Sequence, residues 1–139
     1  MADLRWIVVL DTNVVVSALL SPLGPPAQIL GLTLAGELTA AYDSRILLEY
    51  RDVLWRREFG FSRQRVANVL EALEGDGLSV AAGPLAGRLA DRADEPFLEV
   101  AAAAGAPLIT GNLRHFPPSR RGGVAVLSPR EFLESLRRS

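Results

Sequence analysis

Lysine and cysteine are both missing from this chain of 139 residues, so all 15 basic side chains are arginine, and His115 is the sole histidine. Without lysine there is no Schiff-base chemistry and no invariant lysine of a phosphate-binding P-loop. Without cysteine there is no thiol nucleophile and no cysteine-based zinc site. A Ser-His-Asp triad survives only if it runs through His115. Hydrolytic or transfer chemistry must therefore lean on carboxylates, amides, hydroxyls, arginine and a metal held by oxygen ligands. A charge excess is missing too, with 15 basic against 16 acidic residues. That balance argues against a broad nucleic-acid-coating surface, although a local arginine cluster can still bind a phosphate backbone. Long apolar runs are also lacking: Ile7 to Leu10 is far too short for a secretory core or a membrane span. The expectation is a soluble, cytoplasmic protein with no membrane partner, and without cysteine there is no disulfide argument for export.

What is present is an ordinary folding composition, 49% hydrophobic, at a length that sets one domain over residues 1–139. Trp6 to Leu10 is a continuous β-branched and apolar run, as expected of a strand buried on both faces of a parallel sheet. A helix is predicted over Val14 to Leu20, a second over Ala27 to Gly36 behind the Pro25-Pro26 pair, and a brief strand over Thr39 to Ala41. Ser44 is a good N-cap for a helix carrying Ile46, Leu47, Tyr50, Val53 and Leu54 through about Arg57, and Ser62 caps the next, which Gly75-Asp76-Gly77 stops. Strands are expected at Leu78 to Ala81, Pro107 to Thr110 and Val124 to Leu127. A loop over Gly83 to Asp94 leads to a helix opened by Pro96 and ended by Gly105, and an irregular arginine-rich loop spans Gly111 to Gly123. Ser128-Pro129-Arg130-Glu131 is a capping box for a final helix. Strands alternating with helices predict an α/β fold, a three-layer α/β/α sandwich with a central, mainly parallel sheet.

In such sheets ligands bind outside the carboxyl ends of the strands. Asp11-Thr12-Asn13 follows the first strand directly, and Thr110-Gly111-Asn112 follows the Pro107 to Thr110 strand. Asp91 to Glu95 opens the helix before that strand, and Glu49 is a polar residue between Leu48 and Tyr50. Taken singly, Asp11 and Asp94 are ordinary helix caps and Glu49 an ordinary solvated charge. Together they can converge on one cleft, where carboxylates repel unless protonated or bridged by a hard divalent cation. Such a metal lowers the pKa of a bound water and polarises a phosphodiester, so the set suits phosphoryl transfer with Mg²⁺ or Mn²⁺.

Four ordered blocks, LDTNVVVSALL, SRILLEY, DRADEPFLEVA and LITGNLRHFP, resemble a PIN domain over nearly the whole chain, and SPREFLESL resembles the end of the subgroup of toxin components. The resemblance implies a metal-dependent ribonuclease of the VapC-like kind, a dimer encoded with an inhibiting antitoxin protein. Carried over by position, Asp11, Glu49 and Asp94 are the metal-binding and catalytic carboxylates. Asp94 is preferred to Asp91 because Phe97 and Ala101 fall where the family places an apolar residue and alanine. Asn13 and Ser44 match positions that orient the acidic site, and Thr110 and Asn112 are supporting residues. One departure matters: many PIN domains carry a fourth aspartate where this chain has Asn112, which lacks the charge and predicts a single firmly held ion.

Arg114, His115, Arg120 and Arg121 are placed to meet an RNA backbone. For His115 the readings are a general acid or, preferred, packing or hydrogen bonding in the loop beside Phe116. Arg56 and Arg57 read as a solvated helix end. Arg137 and Arg138 suit the last helix dipole, and Trp55 and Phe59 read as core or partner surface rather than base-stacking rings. Two other functions compete. One is a catalytically weak PIN domain that binds RNA or protein as a regulator, motivated by Asn112. The other is a phosphohydrolase with Asp11 as covalent nucleophile, disfavoured by Asn13 at the second position of the DxD motif and by the lack of lysine.

Overall fold

The structure is a computed structural model, and it describes residues 6–85 and 87–138; residues 1–5, residue 86 within the expected Gly83–Asp94 loop, and residue 139 lie outside the described set. The order is β1 (Ile7–Leu10), α1 (Thr12–Leu20), α2 (Pro25–Leu34), β2 (Thr39–Tyr42), α3 (Ser44–Leu54), α4 (Arg63–Gly75), β3 (Leu78–Ser79), α5 (Glu95–Ala104), β4 (Leu108–Ile109), β5 (Val126–Leu127) and α6 (Pro129–Arg138). Short 3₁₀ turns cover Arg92–Asp94, Leu113–His115 and Pro118–Arg120.

All four residues of β1 are buried, which requires cover on both faces and explains why the run is apolar throughout rather than alternating. β1 pairs in parallel with β2 (Val8 opposite Ala40) and with β4 (Leu10 opposite Ile109), and the sheet runs β3-β2-β1-β4-β5, parallel at every pairing. The PIN-like α/β sandwich expected of the sequence is therefore present. The chain builds outward from β1 through β2 to β3, then returns to the other side of β1 with β4. That reversal opens a crevice at the carboxyl ends of β1 and β4. α5 packs against β1 and β2, and Phe97, Leu98, Val100 and Ala101 are sealed in the core with Leu108, Ile109 and Phe116. Beyond the crevice, β5 continues the same sheet and α6 packs on α2. Among the described residues no single helix is long and apolar enough to cross a membrane.

Several boundaries differ from expectation. α1 starts at Thr12, two residues early, because the chain turns directly from strand into helix at Asp11. The cap of α3 is Asp43, not Ser44: the Asp43 carboxylate accepts from both Arg45 N and Ile46 N, whereas Ser44 is the exposed first residue of the helix. α3 stops at Leu54 rather than Arg57, and β3, β4 and β5 are two-residue strands, shorter than their apolar runs. Two glycines have structural reasons, one of conformation and one of space. Gly105 ends α5 at φ +63°, and at Gly77 a Cβ would meet the Leu73 and Ala40 carbonyl oxygens at 2.1 and 2.6 Å, so only glycine lets the chain pass from α4 to β3 there. The capping box holds, with Glu131 N donating to Ser128 Oγ and Ser128 N donating to Glu131 Oε1. Trp55 is 47% exposed rather than core, and Phe59 stacks on Phe61 with centroids 5.4 Å apart.

Candidate active site

Asp11 stands at the N-cap position of α1, yet its side chain makes no capping hydrogen bond. Its carboxylate turns instead toward the end of β4, where Thr110 Oγ1 donates to Asp11 Oδ2 at 2.8 Å. Asn13 Nδ2 lies 3.4 Å from the same oxygen, and Asn13 Oδ1 accepts from Gly111 N at 3.0 Å. The Thr110 hydroxyl in turn accepts from Asn112 N at 3.0 Å. The two polar triplets that follow β1 and β4 are thus stitched into one floor across the crevice. A Cβ on Gly111 would come within 3.3 Å of Asn13 Oδ1, so the glycine leaves room for this stitch.

Asp11 is only 6% exposed. Its pKa is pushed up to about 6 by burial first, with further upward contributions from the charges of Asp94 and Glu49, against the lowering effect of the Thr110 hydrogen bond. Asp94 and Glu49 thus each lie within electrostatic reach of Asp11. Glu49 comes from the border of the buried face of α3, where Ile46, Leu47, Tyr50 and Leu54 point inward, and it accepts a hydrogen bond from the Thr12 hydroxyl. The neighbouring Tyr50 hydroxyl, fully buried, donates to the Leu10 carbonyl at 2.5 Å, and desolvation drives its pKa far upward, so it stays a neutral donor.

Asp94 sits where the 3₁₀ turn meets α5, its side chain 13% exposed. Burial raises its pKa, with a smaller rise from Asp91, while His115 acts in the opposite direction. His115 Nδ1 approaches Asp94 Oδ2 to 3.0 Å, off the line of a hydrogen bond, and this buried oxygen has no hydrogen-bonded partner. Asn112 Nδ2 lies 2.8 Å from His115 Nε2, so asparagine and histidine form a short chain ending at Asp94. Asp91, the alternative to Asp94, is exposed and caps the turn by accepting from Ala93 N.

The crevice thus brings together Asp11, Asn13, Glu49, Asp94, Thr110, Asn112 and His115 of the residues singled out in the sequence. Ser44 is exposed at the start of α3, and its side chain makes no hydrogen bond to a described residue. Arg114 and Arg120 join His115 along a cleft of about 670 Å³ beside Asp94. Arg121 does not line it, and its Nε instead donates to the Phe116 carbonyl at 2.8 Å. Two residues were missed. Thr12 holds Glu49 across 37 residues, and Arg88 lines the Asp94 cleft from the loop before α5. Thr12 lies in the triplet after the first strand, but its link to Glu49, like the place of Arg88, depends on a distant partner.

The donor set fits a hard divalent cation. All three charged groups are carboxylates, one buried oxygen of Asp94 accepts no hydrogen bond, and Asp11 is held at a pKa that a nearby positive charge would lower. Among the described residues, however, no group of three His, Cys, Asp or Glu side chains is gathered tightly enough to hold an ion as it stands. Asp11 and Glu49 are each satisfied by a hydroxyl donor of their own, which is how like charges settle without a cation between them.

An oxygen-rich acidic crevice at the switch point of a parallel α/β sandwich defines a class of hydrolase-like sites. Within that class the match is specific, because the family model described as PIN domain matches residues 7–114, from β1 through the turn that carries Arg114. The chain belongs to the PIN-domain family, whose members are typically nucleases and generally use divalent metal ions. No curated protein matches it.

Proposed function

We propose that the chain is a Mg²⁺- or Mn²⁺-dependent endoribonuclease that hydrolyses RNA phosphodiester bonds, acting in the cytoplasm as the toxin of a toxin-antitoxin pair. The observation that carries this reading is Asp11: a buried carboxylate at a helix start that leaves the helix uncapped and faces two other carboxylates instead. Asp11, Glu49 and Asp94 would hold the ion, which when bound supplies an activated water and charge neutralisation at the phosphate. The chain's own groups do the rest. Thr110 and Asn13 fix the Asp11 carboxylate, Thr12 fixes Glu49, and the Asn112–His115 pair stands against Asp94. With Asn112 in place of a fourth carboxylate, one ion is held firmly in the free protein.

The antitoxin and dimer parts of the reading draw support from α1 and α2. Leu20, Leu34 and, in the turn between the two helices, Leu23 are exposed, Leu23 at 92%, and Leu34 lines a groove of about 260 Å³ between α1, α2 and α4. Exposed apolar side chains beside such a groove suit a protein partner. The test is RNA cleavage by the purified chain in Mg²⁺ or Mn²⁺. Cleavage is expected to stop on chelation and in Asp11→Asn, and activity that persists in that variant overturns the assignment of the site. Light scattering tests the dimer, and a monomer at micromolar concentration refutes it.

A further inference from the structure

The cleft beside Asp94 gathers three arginines from two distant segments. Arg45 pairs with Asp43 and Glu99, Arg51 with Glu74 and Arg56 with Asp52, each within 3.2 Å. Arg88, Arg114 and Arg120 instead line one cleft of about 670 Å³ and meet no carboxylate among the described residues. Asp91, on the same wall, is occupied with the Ala93 amide. The two walls come from segments far apart in sequence, and they touch. A Cβ on Gly87 would stand 3.8 Å from Arg120 Cδ, and one on Gly122 would stand 3.7 Å from Leu85 Cδ2. Arg88 therefore reaches the cleft from the loop before α5, while Arg114 and Arg120 reach it from the loop after β4.

Three guanidinium groups without partners, held along one cleft that includes a half-buried carboxylate, form an acceptor for anions spaced along a chain. No Phe, Tyr or Trp lines the cleft, so base stacking on those rings is unavailable and recognition falls to backbone charge. We propose that this cleft is a two-walled phosphate subsite for single-stranded RNA, with Arg88 opposing Arg114 and Arg120 across the strand on the Asp94 side of the acidic crevice. The substrate class rests on the ribonuclease reading above. The subsite sets the strand's path without reading its sequence, and Arg121, tied to Phe116, takes no part.

The experiment is fluorescence anisotropy of two labelled single-stranded RNAs of unrelated sequence with the full chain in chelator, so that no cleavage intervenes. Variants are Arg88→Gln and Arg120→Gln, with Arg57→Gln as an exposed control and thermal melts to match folding. Each cleft variant should weaken binding of both RNAs by about tenfold. Each should also lower the magnitude of the log-log salt slope by about 0.7, the value for one phosphate on a single strand. Arg57→Gln should match the wild type. Unchanged binding in Arg88→Gln, an equal loss in Arg57→Gln, or no RNA binding by the wild type each overturns the subsite. So does tighter binding of a polyglutamate peptide that is lost in Arg88→Gln, which would make the cleft a protein-docking surface. Cleavage in Mg²⁺, measured separately, keeps the two readings distinct. Cleavage with normal Arg88→Gln binding refutes the subsite alone, and arginine-dependent binding without cleavage refutes the nuclease alone.

Discussion

Asp11 and Asp94 face the same crevice with raised pKa values, but the protein holds them by different means. Asp11 is fixed by the fold itself, since its neighbours are a buried threonine hydroxyl at the end of β4 and an asparagine amide locked to the next backbone N–H. Asp94 is held by the surface: it ends a 3₁₀ turn, and its closest side-chain contact is His115, 46% exposed on a loop. One carboxylate is buried at the cost of folding stability, the other sits beside an exposed histidine. A cation would relieve the first and recruit the second.

The largest effect that would break this contrast is at Asp11. Its ordinary value of 3.8 rises to about 6 in the fold, so the folded chain binds this proton more tightly than the unfolded chain. Stability from this group is therefore present below pH 4 and lost as pH rises through about 6. The cost above that range is about 3 kcal/mol in the ion-free protein, from about 1.4 kcal/mol per pKa unit. Asp11→Asn should thus lose cleavage by roughly a hundredfold or more while melting of the order of 5 °C higher than the wild type at pH 7 without metal. The gap should close near pH 4. A variant that melts lower than the wild type at neutral pH would show that Asp11 is not a strained group.

Thr110→Val comes next. Valine keeps the shape but removes the donor to Asp11 and the acceptor for Asn112 N, both buried at a residue with no exposed surface. Chemical denaturation should register a loss of about 1–3 kcal/mol at pH 7, shrinking toward acid pH where Asp11 is protonated. A loss that is the same at every pH would detach Thr110 from the charge of Asp11.

Asn112→Asp sharpens the Asp94 side. Calorimetry on the wild type should find one tight Mn²⁺ site, and the variant, with a further carboxylate near Asp94, should gain a second. Two tight sites in the wild type would refute the single-ion reading. The smallest effect is expected at His115, because an exposed contact off hydrogen-bond alignment contributes little. His115→Ala should change stability by less than about 0.5 kcal/mol in ion-free protein, as read from thermal melts. A larger loss would mean that Asp94 is held as firmly as Asp11.

The legible parts of the sequence were those with local causes. β1 reads from five consecutive apolar residues, α6 from its capping box, and the Asp11 and Thr110 loci from their position just after apolar strands. The choice of Asp94 over Asp91 rested on the family resemblance at Phe97 and Ala101; in the fold Asp94 is half-buried and Asp91 exposed. Adjacent residues with the same capping chemistry were not separable. Asp43 and Ser44 can each start a helix, and only the backbone angles at Asp43 decide between them. Contacts across long sequence separation had no local trace at all. Thr12 with Glu49, Asp94 with His115, and Arg88 opposite Arg120 depend on how loops land after the sheet has formed.

The Tyr50–Leu10 hydrogen bond joins the residues immediately adjacent to Glu49 and Asp11. It works as a spacer bar: the distance between those two carboxylates is set by a buried bond one residue away on each chain segment, outside the reach of solvent or substrate. Asp94, on its short turn, stands outside that brace. Repacking of Tyr50 would therefore disturb the spacing of Asp11 and Glu49 without touching either carboxylate.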